Sequence, residues 1–320
     1  MDALSDVLKS THLEGAVYLN AEFTAPWCIE SRYGLDSIRK RLEGADHVVF
    51  FHFFLDDGAK VPLADGGVIE VDAGDLVLFP QGDDQRMGSD LRMAPDEFGS
   101  FVDDAQKDAE VIHLRHGGGG APTRVVCGYI ALSRSMSRPL FDCLPAVVRI
   151  PIGDGPGAQL LRELVRTGVR ESSQAGPGTS SMLAKLSELL FVEAMRRYAE
   201  TIPPEAKGWL AGVRDLHVGR ALAAIHAEPH ASWTVDRLAR HAGISRSALA
   251  ERFVSLLGEP PMKYLARWRL ALAAQALRSG REPIIRIAER AGYESESAFS
   301  RAFRREFGSP PATWRRARLT

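Results

Sequence analysis

The chain has 320 residues, 45% of them apolar and 25% charged, the composition of a globular protein with room for roughly two or three domains. No apolar run approaches the roughly 20 residues that span a bilayer, and the start Met1-Asp2-Ala3-Leu4-Ser5-Asp6 lacks the basic opening of a secretory signal, so a cytoplasmic location without a membrane partner is expected. The formal charge of −1 conceals an asymmetry: residues 215–320 hold 18 basic and 10 acidic side chains, +8, against −9 on residues 1–214. A basic tail on an acidic body points to a nucleic-acid module joined to a part that does not bind nucleic acid.

Residues 1–152 read as β-rich. The run Val48-Val49-Phe50-Phe51-His52-Phe53-Phe54-Leu55 ends in the turn Asp56-Asp57-Gly58, and Val68-Ile69-Glu70-Val71 passes through Asp72-Ala73-Gly74-Asp75 into Leu76-Val77-Leu78-Phe79-Pro80. Short apolar strands between Gly and Asp turns predict a small barrel or sandwich. Residues 91–109 read as an acidic loop and Gly117–Gly120 as a flexible stretch before the strand Arg124–Leu132. The three cysteines Cys28, Cys127 and Cys143 all lie in this part, and their odd count and wide spacing argue against a disulfide scaffold or structural zinc.

From about 156 the period becomes helical. Leu160, Leu161, Leu164 and Val165 form one stripe and, after a Gly/Pro/Ser break at 172–181, Leu183, Leu186, Leu190, Ala194 and Tyr198 form another. Residues 153–203 are therefore expected to be an antiparallel helical pair, covered by the barrel or by the same helices of a second copy in a homodimer. Pro203-Pro204, Gly208 and Gly212 mark a linker at 204–214.

Residues 215–320 contain a repeat. Gly243-Ile244-Ser245-Arg246-Ser247-Ala248-Leu249-Ala250-Glu251-Arg252-Phe253, closing on Gly258 and Pro260-Pro261, returns as Gly292-Tyr293-Glu294-Ser295-Glu296-Ser297-Ala298-Phe299-Ser300-Arg301-Ala302-Phe303, closing on Gly308 and Pro310-Pro311. Before each copy, Val235, Leu238, Ala239 and Ala242, then Ile284, Ile287, Ala288 and Ala291, sit at the same i, i+3, i+4, i+7 offsets of one buried helix face. Gly243 and Gly292 suit a sharp turn between helices, and Ser245 and Ser295 suit caps for the next helix. Because Leu249, Phe253 and Leu257, and likewise Phe299, Phe303 and Phe307, must face inward, the outward faces are readable. They carry Arg246, Ser247, Ala250 and Glu251 in the first copy, and Glu296, Ser297, Ser300, Arg301 and Arg304 in the second. A helix from Met262 to about Ser279 joins the units, long enough to set both second helices into successive major grooves of double-stranded DNA.

These chemistries are unequal. Arg301 can pair bidentately with a guanine, and Arg246 can do so or meet a phosphate; Glu251 and Glu296 only accept, and Ala250 offers apolar contact. Arg252, Lys263, Arg304, Arg305, Arg315 and Arg316 are candidates for phosphate neutralisation.

On Trp233-Thr234-Val235, Leu238-Ala239, Ala242-Gly243-Ile244-Ser245-Arg246-Ser247 and Phe253, then Pro283-Ile284, Ile287-Ala288, Ala291-Gly292-Tyr293-Glu294-Ser295, Phe299, Phe303 and Phe307-Gly308-Ser309-Pro310-Pro311, the chain resembles the AraC/XylS family of bacterial transcription regulators. The resemblance covers about 215–318 and implies two helix-turn-helix motifs, with base contacts from Ser247, Ala250, Glu251, Glu296, Ser297 and Arg301. It also admits RNA polymerase as a partner. Residues 1–152 resemble the cupin-like sensor domain of such regulators, on Met1–Leu8, the run Ala73–Asp83, Val126-Cys127-Gly128 and Leu144-Pro145. The fold class expected is thus α+β: a cupin-like barrel, a helical dimerisation segment and an all-α DNA-binding domain. That resemblance implies control by a small-molecule effector or, as in relatives that answer hypochlorite through cysteines, by an oxidant acting on Cys127 with Cys28 or Cys143.

No cofactor and no enzymatic activity are expected. The competing reading is a cupin metalloenzyme with a nucleic-acid-binding tail, whose metal would fall to His52, His113 or His116. His47 and His52 fall on opposite faces of a strand, and Gln85 stands where metal-binding cupins place histidine. A sensorless architectural DNA-bending protein leaves the acidic β domain without a purpose.

Overall fold

The computed structural model describes residues 3–11, 13–32, 46–100, 111–142, 144–153, 155–172, 178–203, 205–280 and 282–316. In chain order, helix α1 (Ala3–Ser10) precedes strands β1 (Glu14–Thr24), β2 (Cys28–Ser31), β3 (His47–Asp56), β4 (Ala59–Pro62), β5 (Val68–Val71), β6 (Asp75–Phe79), β7 (Gln85–Gly88), β8 (Asp96–Glu97), β9 (Ile112–Gly117) and β10 (Pro122–Leu132). Helix α2 (Arg134–Phe141) and β11 (Val148–Pro151) lead to α3 (Pro156–Ser172) and α4 (Thr179–Thr201). The last helices are α5 (Trp209–Arg214), α6 (Leu216–Ala227), α7 (Val235–Ala242), α8 (Arg246–Leu257), α9 (Pro261–Ser279), α10 (Ile284–Arg290), α11 (Glu296–Phe307) and α12 (Pro311–Arg316).

Two compact units result. One is built from the described residues of Leu13–Leu132 and Leu144–Thr201, the other from those of Met1–His12, Ser133–Cys143 and Ile202–Thr320. This division departs from the boundaries expected at 152 and 204. Helices α1 and α2, inside the expected sensor segment, bury Val7, Met136, Ser137 and Leu140 in the unit that holds the repeat. There Arg278 of α9 donates to Ser133 Oγ at 2.9 Å. The stretch expected as a linker forms α5 instead, because Trp209 and Leu210 bury their side chains in that core and so repay the ordering of the backbone.

The first unit is a barrel-like pair of sheets in the orders β11-β6-β3-β10-β1-β9 and β5-β4-β7-β2-β8. Alternation along β1 turns Leu19, Ala21 and Phe23 inward, where they meet Phe50 and Phe54 of β3, Val61 of β4 and Met87 of β7 in one apolar core. Strand β3 is buried on both faces, which explains its unbroken hydrophobic run. Helices α3 and α4 cover the outer face of the larger sheet, and β1 comes so close to α4 at Gly15 that a Cβ there would lie 2.7 Å from the Ala184 carbonyl oxygen.

The expected α3 stripe splits. Leu161 and Val165, with Ala158 and Val169, form the buried face, whereas Leu160 is 61% and Leu164 39% exposed. Neighbouring helical residues diverge by about 100°, too far for all four to share one narrow contact. On α4, Leu183, Leu186, Leu190 and Ala194 are buried as expected and Tyr198 is half-buried. Residues 101–109 of the expected acidic loop lie outside the described residues, while residues 96–100 form β8 and a short 3-10 turn.

Candidate nucleic-acid interface

Each copy of the repeat folds as its residue types require. Thr234 caps α7 by accepting from the Arg237 N–H; the chain then turns through Gly243 at φ 74°, and Ser245 accepts from the Ala248 N–H at 3.2 Å to start α8. In the second copy Gly292 takes φ 83° and Ser295 accepts from the Ala298 N–H, also at 3.2 Å. Both turns use a left-handed backbone that only glycine adopts without cost. Ser247 and Ser297 each lie 3.2 Å from the capping serine hydroxyl of their own copy.

The second helix of each motif is held from behind by an aromatic core. Phe253 of α8 stacks edge-on to Tyr264 at 5.7 Å. In the second copy Phe299, Phe303, Phe307 and Trp314 form a chain of ring contacts 4.5–5.8 Å apart. Sequence reading missed the polar centre of the first copy: the Trp209 indole N–H donates to the Tyr264 hydroxyl at 2.7 Å, and that hydroxyl donates to His226 Nε2 at 2.8 Å. Burial lowers the His226 pKa to about 3, so the ring is neutral and free to accept.

With these cores facing inward, Arg246, Ser247 and Glu251 are exposed and Ala250 half-buried on α8; Glu296, Ser297 and Arg301 are exposed and Ser300 half-buried on α11. All eight candidate base-reading residues therefore lie on the outward sides of the second helix of each motif. Arg246 also reaches Asp236 at 3.4 Å, between two exposed side chains.

The six phosphate candidates separate. Lys263, Arg304, Arg305 and Arg316 are exposed. Arg252, exposed as well, meets Asp215 at 2.8 Å, and Asp215 is the cap of α6, so this arginine ties α8 to α6. Arg315 is half-buried and donates to the Glu282 carbonyl oxygen at the entrance to α10. Neither role was legible in sequence, because both partners are distant and ordinary in type.

In the barrel unit Cys127, His52 and Gln85 form a buried line. The Cys127 thiol donates to His52 Nδ1 at 2.8 Å, and His52 Nε2–H donates to Gln85 Oε1 at 2.5 Å. Burial lowers the His52 pKa to about 4 and pushes the Cys127 thiol strongly up. A protonated, buried thiol is a poor nucleophile toward an oxidant. Cys28 is buried as well, and Cys143 lies outside the described residues.

The three histidines considered for a metal do not converge. His52 points into the core, His113 bonds Asn20 and Ser172 on the outer face, and His116 meets Asp96 at 2.9 Å. Among the described residues no group of three or more His, Cys, Asp or Glu could hold a metal ion, and no helix is long and apolar enough to cross a membrane.

Two helix-turn-helix motifs following one cupin-like unit define a DNA-binding transcription regulator with an N-terminal cupin-like domain. Residues 2–200 match the family model described as Cupin and residues 238–317 the model described as Helix-turn-helix domain. An AraC-like transcription regulator of Streptomyces antibioticus is 34% identical over 249 residues, 78% of this chain and 80% of that one. The HTH-type transcriptional regulator AlkR of Acinetobacter baylyi is 31% identical over 98% of this chain and 99% of its own. The RCS-specific HTH-type transcriptional activator RclR of Escherichia coli is 28% identical over 98% and 97%. The chain belongs to the AraC-like family of transcription regulators.

Proposed function

We propose that the protein reads an asymmetric double-stranded DNA site with α8 and α11, acts in the cytoplasm as a homodimer near promoters engaged by RNA polymerase, and answers to a small molecule held by its barrel unit. The observation that carries the DNA reading is the pair of outward faces built on matched caps and matched glycine turns, unequal in side chains. The first offers Ser247, Ala250 and Glu251, while the second adds Arg301 beside Arg304 and Arg305. Arg301→Ala is expected to remove preference at one base pair, a loss of about 1–3 kcal/mol of discrimination, with the fold intact because the side chain is exposed. Selection of binding sites from random DNA measures this directly; an equal loss on every sequence would make Arg301 a phosphate contact.

The exposed apolar side chains of α3 and α4 support the homodimer. Leu160 and Leu164 are joined by Leu189, 51% exposed, and Val192, 37% exposed. The antiparallel run that sets Gly168 against Leu183 and Leu186 carries the first pair toward the second. A two-fold pairing of this stripe with its copy covers both at once. Leu160→Glu with Leu189→Glu is expected to give monomers in sedimentation experiments where the wild type sediments as a dimer, and unchanged sedimentation would refute the stripe as the interface.

Small-molecule control is favoured over thiol oxidation by the burial of Cys127 and Cys28.

A further inference from the structure

Helix α9 carries two separate cores. Tyr264 and Trp268 in its first half meet Phe253, Trp209 and His226 on the side of the first motif, while Leu270, Ala273, Ala274 and Leu277 meet Ile287, Ala288, Phe299 and Phe303 of the second. A single shared helix leaves the angle between the motifs to its own stiffness unless something off its axis ties them together.

Such a tie exists. Residues 228–234 join α6 to α7 of the first motif, and this loop is held in place: Trp233 is buried, its indole N–H donates to the Glu228 carbonyl oxygen at 2.9 Å, and the Arg237 guanidinium lies 4.4 Å from the centre of its ring. Arg269 of α9 donates to two carbonyl oxygens of the loop, through Nε to Pro229 at 2.6 Å and through Nη2 to Ala231 at 2.7 Å. Its remaining nitrogen lies against the turn of the second motif, where a Cβ on Gly292 would sit 2.8 Å from Nη1. From the loop, His230 donates through Nδ1 to the Arg290 carbonyl oxygen at 2.7 Å. That carbonyl belongs to the last turn of α10, where a helix leaves its acceptors without internal partners.

The repeat shows what is particular about this arrangement. Arg220 of α6 stands 23 residues before Gly243, as Arg269 stands 23 before Gly292. Arg220 is exposed, and a Cβ on Gly243 would meet its Nη1 at an ordinary 3.6 Å. Arg269 is half-buried, and burial lowers its pKa. A guanidinium withdrawn from water needs strong partners, and the two carbonyls of the first motif's loop supply them as charge-assisted bonds. Only the second copy has another motif before it to hold.

We propose that His230 and Arg269 are positioning residues that hold the two motifs at one angle and thereby set the spacing between the two stretches of DNA that α8 and α11 read. The proposal rests on the DNA reading above. Successive major grooves lie about 34 Å apart, so a rotation of about 6° between the motifs moves one reading helix by roughly 3.5 Å, about one base pair. A junction of three short hydrogen bonds set away from the helix axis resists that rotation. Neither side chain needs to touch DNA for the spacing to depend on it.

The test is binding of the full chain to its selected DNA site and to copies with one or two base pairs inserted or removed between the halves. The wild type is expected to prefer one spacing by about tenfold or more. His230→Ala, at an exposed position, and Arg269→Lys, whose ammonium is a single point donor, are each expected to narrow that preference to about threefold or less, with base preference within each half unchanged. His230→Asn, whose amide N–H can take the place of Nδ1–H, is expected to restore it. A wild type indifferent to spacing, variants as strict as the wild type, or a loss equal at every spacing overturns the junction. Absence of any DNA binding by the wild type overturns the DNA reading instead, and the junction is then decided without DNA. Pulsed electron paramagnetic resonance gives the distance between spin labels on cysteines placed at exposed Ser255 and Thr313, with Cys143 replaced by serine. A broader distance distribution in His230→Ala than in the wild type supports the junction, and an equally narrow one overturns it.

Discussion

Replacing Phe303 with alanine is expected to destabilise the second helix-turn-helix motif by about 3–5 kcal/mol and to erase half of the DNA footprint. The side chain is fully buried, sits in the core formed with Phe299, Ile287, Ala288 and Leu277, and touches the rings of Phe299, Phe307 and Trp314. Removing it loses the transfer free energy of the ring and leaves a cavity beneath α11, the helix that carries Arg301. A loss of that size rivals the whole stability of a small domain. Phe253→Ala is the matching change under α8 and is expected to erase the other half of the footprint. Denaturant unfolding with nuclease footprinting reads both effects, and a Phe303→Ala protein with an intact two-part footprint would show that α11 is not placed by this core.

Acidification is expected to weaken both units at a pH well above the range of ordinary carboxylates. Burial holds the folded-state pKa of His52 at about 4 and of His226 at about 3, against about 6.5 when unfolded. Above pH 6.5 neither state carries the proton and stability is unaffected. As pH falls from 6.5 toward 4 the unfolded chain takes up a proton on each ring that the folded chain refuses, so stability is lost at a limiting slope of about 1.4 kcal/mol per pH unit for each histidine. The two belong to different units, so the effects are separable. His226→Gln is expected to flatten the acid limb of the DNA-binding unit only, and His52→Gln that of the barrel unit only. Hydrogen exchange between pH 7 and pH 5 resolves the two, and equal protection at both values in the wild-type chain would mean that these rings are accessible to protons.

The repeat was legible because its signals are local. Cap, turn and buried stripe all fall within about four residues of one another in each copy, and local signals survive without knowledge of the partner. The strands at 47–56, 68–71, 75–79 and 122–132 were legible for the same reason, as apolar runs bounded by Gly, Pro or Asp. Strand β1 carried a readable period of two in Val17, Leu19, Ala21 and Phe23 that the stronger aromatic run of β3 overshadowed. Helix α5 was obscured by its flanking Pro203, Gly208 and Gly212, which read as linker until Trp209 is seen buried.

Sequence by itself determined the family, the two helix-turn-helix motifs, the inward and outward faces of their second helices, and the charge contrast between body and tail, because these depend on periodicity and residue type. Tertiary structure alone decided which charged side chains are committed elsewhere. Arg252 goes to Asp215 thirty-seven residues away, and Arg166 goes to Asp56 across 110 residues. It also moved α1 and α2 into the DNA-binding unit, closed Cys127 against His52, and brought Arg115, Glu22, Arg124 and Asp56 into one row across four strands. Each of these depends on strand register or on contacts between segments far apart in the chain, and neither is written in the composition or spacing of any one segment.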